Sequence, residues 1–159
     1  MTFAVRKIVL IFMQCDTYNG HEKYRVSGAD KILNQLETYI PIHYDELSVA
    51  FLNEASICDL HARFLNNPDP TDVITFPSDD DKEERSGEIC ISIDEALKYP
   101  QYRLEDELTL YLVHGWLHLA EYDDIDPQDR LVMREMEQKA IAFLDKQPCQ
   151  HLHVEHLGL

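Results

Sequence analysis

The sequence predicts an α+β fold: one domain in which a small mixed sheet of about four strands is packed with about five helices. Three observations carry this. Apolar β-branched runs alternate with segments whose apolar residues recur at helical intervals, and two strand-like runs follow one another directly, which mixes crossovers with a hairpin-like pair. A chain of 159 residues is about one domain long.

The elements follow in order. Val5–Cys15 is apolar and β-branched enough for an interior strand; its run Ile8–Met13 is short, and Met13-Gln14 precede Cys15 where a lipoprotein site needs small residues, so no targeting signal is read there. Residues 25–40 place Ile32, Leu33, Leu36 and Ile40 on one helical face. A strand around Leu47–Leu52 leads into a helix with Ile57, Leu60 and Phe64 inward, ended by Asn66-Asn67-Pro68. "TDVITFP" is a compact strand stopped by Pro77. Residues 78–87, "SDDDKEERSG", hold seven charged side chains and no apolar one, the composition of a solvated connection. "GEICISIDEAL" gives a strand and then a short helix near Asp94, and a long helix runs from about Leu104 to Leu119. The last helix has Asp126 as N-cap, proline in its first turn and a stripe of Val132, Met136, Ala140 and Phe143. One domain over residues 1–147 results. Beyond Pro148, residues 148–159 lack a helical stripe and read as a flexible tail, whose His151, His153 and His156 would bind metal only adventitiously.

Composition narrows the function classes. Fourteen Lys plus Arg against thirty Asp plus Glu leave a formal net charge of -16, which repels polyanions at long range. The four cysteines form no C-x-x-C pair, which fits a reducing cytoplasm. No apolar run approaches the roughly 20 residues that span a bilayer, so no membrane partner is expected.

The chemistry concentrates in "LVHGWLHLAEYDD", residues 112–124. His114 and His118 are four apart on a helix and so lie one above the other, a recurring zinc half-site. Asp124 follows six residues later, where the chain can curl back beneath the pair and add a carboxylate oxygen. Such three-ligand sites leave a position for water, and open zinc sites hydrolyse. Two histidines at this spacing also arise by chance. Here, however, Leu112, Val113, Trp116, Leu117 and Leu119 bury the helix, and burying two unpartnered imidazoles is unfavourable. The residue after His114 is Gly115, not the glutamate that serves as base in His-Glu-x-x-His peptidases, which counts against a metallopeptidase.

These residues resemble a known family. "HGWLHLAEYDD" is similar to the His-Gly-x-Leu-His-Leu-x-Gly-Tyr-Asp-His signature of the YbeY endoribonucleases, "PTDVITFP" at 70–77 to their Pro-Thr-Asp-Val-Leu-Ser-Phe-Pro segment, and "GEICIS" at 87–92 to their Gly-Asp-Ile-x-Ile-Ser strand. The resemblance covers roughly residues 45–145. It implies a metal-dependent hydrolase of single-stranded RNA, acting in rRNA maturation and ribosome quality control, with zinc as the usual metal. Its three histidine ligands fall on His114, His118 and Asp124, so the third departs from the pattern, and Glu121 stands where the signature has glycine. A His₂Asp site also suits iron, manganese or nickel. The resemblance places Asp72 and Glu88 near the groove as candidates to orient ligands or take a proton, and leaves Arg63 as candidate substrate-binding residue two positions from the family's arginine. Expected partners are single-stranded RNA or rRNA and the ribosomal small subunit or its proteins. The alternative is an acidic ribosome-associated binding protein whose metal site is structural, the ion only fixing the helix end, or lost.

Overall fold

The computed structural model describes residues 13–79 and 83–158. The expected strand Val5–Cys15 lies outside the described residues up to position 12, and its end opens a strand that runs further, β1 at Gln14–Gly20. There follow β2 (Tyr24–Ser27), α1 (Ala29–Tyr39), β3 (Glu46–Leu52), α2 (Glu54–Leu65), β4 (Val73–Phe76), β5 (Ser86–Ser92), α3 (Ile93–Leu97), α4 (Leu104–Leu119), α5 (Pro127–Leu144) and β6 (His153–His156). The described residues thus form one small α+β domain with five helices and a mixed four-stranded sheet, as the sequence predicts, together with a separate strand pair.

The sheet order is β1-β3-β5-β4. β1, β3 and β5 run parallel, with Thr17 opposite Val49 and Val49 opposite Ile89. β4 closes the edge antiparallel, with Thr75 opposite Ile89. Successive side chains leave a strand on opposite faces. Leu47, Val49 and Phe51 of β3 with Ile89 and Ile91 of β5 therefore enter the main core beneath α1, α4 and α5. Ala50, Leu52, Ile74 and Cys90 face the other way and meet Ile57 of α2 in a much smaller cluster.

Local chemistry sets the helix ends. The Asn53 side chain accepts from the Ser56 N–H at 2.9 Å to start α2, and Asn66, left-handed at φ 53°, ends it. Asp126 accepts from the Gln128 N–H at 2.8 Å ahead of Pro127 and starts α5 as expected. Two helix faces differ from the expectation. Phe64 is 57% exposed, set edge-on against Phe76 rather than in the core, because α2 covers only a narrow patch of sheet. On α5 the inward stripe is Met133, Ala140 and Leu144; Val132 is 47% exposed, while Met136 and Phe143 are half-buried at its border.

The larger correction concerns the C-terminal segment. Residues 153–156 are not a frayed tail but a strand paired antiparallel with β2, Val154 opposite Val26. Leu152 is fully buried and its N–H donates to Thr109 Oγ1 at 2.9 Å; the Gln35 side chain binds both the N–H and the carbonyl of Cys149. Four mostly polar residues with one apolar side chain inward give no periodicity to read, so only the partner strand reveals them.

α4 is buried nearly all round. Trp116, fully buried, donates its indole N–H to the Ile40 carbonyl at 3.1 Å. A Cβ at Gly115 would stand 2.7 Å from Ile89 Cγ2 and 3.2 Å from Val73 Cγ1, so glycine is what lets the helix lie against the sheet. Among the described residues no helix is long and apolar enough to cross a membrane.

Candidate metal centre

The last turns of α4 carry His114 and His118 on one face, their rings 4.5 Å apart and nearly perpendicular. The two Nε2 atoms face one another at 2.9 Å. The helix then ends in paired bonds, Glu121 N–H to the His118 carbonyl and Tyr122 N–H to the Leu117 carbonyl, both 3.0 Å. This closure requires a left-handed residue, and Glu121 supplies it at φ 70°. The reversal returns Asp124 to the imidazoles: its Oδ2 lies 3.3 Å from His114 Nε2 and 3.6 Å from His118 Nε2. Asp123 Oδ1 accepts from the Asp124 N–H at 2.7 Å and caps the turn.

The three donors fit one ion. Zinc held tetrahedrally at about 2.0–2.1 Å from each donor would set the donors about 3.3 Å apart, and 2.9, 3.3 and 3.6 Å are observed. Among the described residues His114, His118 and Asp124 form the only such group. His151, His153 and His156 do not assemble into one: His156 stands edge-on to Tyr24 and His151 Nδ1 meets the Leu152 carbonyl. The centre is half-buried and most open on the Asp124 side.

Glu137, from α5, places Oε1 2.5 Å from His114 Nδ1. Burial pulls the His114 imidazole's pKa down, but the hydrogen bond and charge of Glu137, with the charges of Asp72 and Asp124 behind it, more than offset this and leave it above the ordinary value. Sequence reasoning missed Glu137, because its signal depends on the phase of α5 that only the packed helix shows. With α5 phased on Met133, Ala140 and Leu144, position 137 falls on the inward stripe, and a carboxylate there calls for a partner.

The other expected residues divide. Asp72 lies just before β4, its Oδ1 accepting from the Val73 N–H at 2.8 Å, and its charge reaches both His114 and Tyr111. It belongs to the neighbourhood of the centre. Glu88 does not: it shares the strand face of Cys90, opposite to Ile89 and Ile91, and lines an open polar cavity of about 410 Å³ with Glu46 and Ser48. Arg63 projects from exposed α2, beyond the smaller cluster, where Asp59 holds it at 3.4 Å. Among the described residues neither hydrogen-bonds to, nor forms an ion pair with, His114 or His118.

Fold and site together define a class: α+β domains whose buried helix ends in a His-x-x-x-His pair completed by a returning donor able to hold a divalent ion. The family model described as Endoribonuclease YbeY matches residues 14–145. Endoribonuclease YbeY of Protochlamydia amoebophila is 37% identical, over 78% of this chain and 87% of that one. That of Chlamydia caviae is 31% identical, over 76% and 82%. The solution structure of TM1509 from Thermotoga maritima is similar with a TM-score of 0.53 at 25% identity, covering 82% of this chain and 88% of that one. The chain belongs to the Endoribonuclease YbeY family.

Proposed function

We propose that this protein is a metal-dependent endoribonuclease that cleaves single-stranded RNA in the cytoplasm, in rRNA maturation and ribosome quality control. One observation supports this above all: three donors from α4 and its returning turn converge within 2.9–3.6 Å in a member of this family. His114, His118 and Asp124 would hold the ion. When bound, zinc in such a site lowers the pKa of water toward about 7 and polarises the bond under attack. Carboxylate in place of a third imidazole makes the donor set less positive by one charge, so iron, manganese and nickel also suit it.

Asp72, whose charge acts on His114, is the candidate proton acceptor. Its Oδ1 is engaged by the Val73 and Thr71 donors, while Oδ2 has no hydrogen-bond partner among the described residues and can take a proton from water near His114. Gly115 bears on the peptidase alternative. The position that carries the base in His-Glu-x-x-His enzymes is pressed against Ile89 and Val73, with no room for a carboxylate.

A net charge of -16 supports a second reading, an acidic protein that docks on basic ribosomal proteins of the small subunit while the ion only pins the α4 turn. Cleavage assays separate the two. Chelated full-length protein is given single-stranded or duplex RNA, with and without added zinc or manganese, beside His118→Ala. Metal-restored cleavage of single strands by the wild type alone supports the enzyme. Metal binding without any RNA cleavage supports the docking protein.

A further inference from the structure

We propose that Glu137 is the positioning residue of the centre, fixing His114 so that its Nε2 lone pair is aimed at the ion; this rests on the metal reading above. An ionised carboxylate only accepts hydrogen bonds. At 2.5 Å from Glu137 Oε1, the hydrogen therefore sits on His114 Nδ1. In the neutral ring Nε2 is then bare, and it is Nε2 that faces His118 Nε2 and Asp124 Oδ2.

α4 itself offers nothing for this task, because the residues one turn from His114 are Leu110, Tyr111, Leu117 and His118. The carboxylate has to come from another element. α5 delivers it from the inward stripe that also holds Met133, Ala140 and Leu144, and the Glu137 and His114 side chains are each only 17% exposed. Among the described residues no lysine or arginine pairs with Glu137; its ion-pair partner is His114. The centre is therefore asymmetric. His118 has no corresponding partner on Nδ1 among the described residues, so His114 is the fixed donor onto which His118 and Asp124 close. Carboxylates placed behind a ligating imidazole set its tautomer and orientation, and losing one typically lowers metal affinity about 10–100-fold.

The test uses the full chain and zinc alone, with affinity read by competition against a chromophoric chelator. Glu137→Gln keeps an acceptor of the same shape without the charge, and zinc affinity should fall about 10-fold; Glu137→Leu removes both, and the loss should approach about 100-fold. Side-chain ¹⁵N shifts of the metal-free protein, at a pH where the ring is neutral, should show His114 as the Nδ1–H tautomer in the wild type and shifted toward Nε2–H in Glu137→Leu. Affinities within twofold of wild type in both variants, or an Nε2–H wild-type ring, overturn the proposal. A wild type that binds zinc no better than His118→Ala overturns the metal reading instead, and the tautomer of the metal-free ring then decides the role of Glu137 alone.

Discussion

The two faces of the four-stranded sheet are built from alternate residues of the same strands, yet they differ in nearly everything else. One is covered by α1, α4 and α5 over a continuous core, and every member of the candidate metal centre stands on that side. The other is covered by α2 over five buried residues, beside an open acidic cavity, and it receives Glu88 and Arg63. The difference teaches where such a site can be held. Three donors keep separations of about 3 Å only if the elements bearing them are fixed by packing, which the thick face provides and the thin face does not.

The comparison can be broken most severely at Trp116. Replacement by alanine removes the largest fully buried side chain and leaves the Ile40 carbonyl without its donor, and it should lower unfolding free energy by about 3–5 kcal/mol in urea titrations. At the centre, His118→Ala should weaken zinc binding by about 100-fold or more in chelator competition, whereas Glu88→Gln, on the thin face, should stay within about twofold. An equal loss in both would show that the faces are not chemically distinct. Gly115→Ala probes the seam between α4 and the sheet. Alanine is the better helix former by about 1 kcal/mol, yet its methyl would stand 2.7 Å from Ile89 Cγ2, and overpacking should leave a net loss of about 1–3 kcal/mol.

The thin face is hung on a polar pin. His21 takes the Lys23 N–H on Nδ1 and donates from Nε2 to Asp94, whose other oxygen accepts the Glu54 N–H at the start of α2. Burial alone would raise the Asp94 pKa, but the bonds from His21 and Glu54 more than offset it and hold it below the usual carboxylate range. A folded pKa that is depressed contributes stability above the unfolded value of about 3.9, and that contribution disappears as pH falls through the folded one. Asp94→Asn should accordingly flatten the acid side of a plot of Tm against pH below about pH 4, while lowering Tm near neutrality. The smallest expected effect has the opposite sign. Glu121→Gly relieves a left-handed glutamate and should stabilise the protein by up to about 1 kcal/mol in thermal melts without changing zinc affinity.

The legible parts of the sequence were those whose signal is local. α4 falls at Leu104–Leu119 as expected because an unbroken apolar surface around two histidines leaves no other element to draw, and the Asp126-Pro127 start of α5 is written in two residues. The convergence of His114, His118 and Asp124 follows from helical spacing and a reversal at Glu121. What escaped depended on partners. Glu137 acquires meaning only when α5 docks on α4, and β6 only when β2 lies beside it. Glu88 was available to simple alternation, since Ile89 and Ile91 already claim the core face.

The pairing of Val26 with Val154 has a bearing on how the molecule is made. β2 is synthesised long before β6 exists, so the early strand must wait with its edge open while nearly all the remaining chain emerges. Contacts between such distant positions form late and slowly. A released chain cut before residue 153 should keep the four-stranded sheet and the helices but leave one flank unlatched, the form most exposed to proteases and to stray strands from its neighbours.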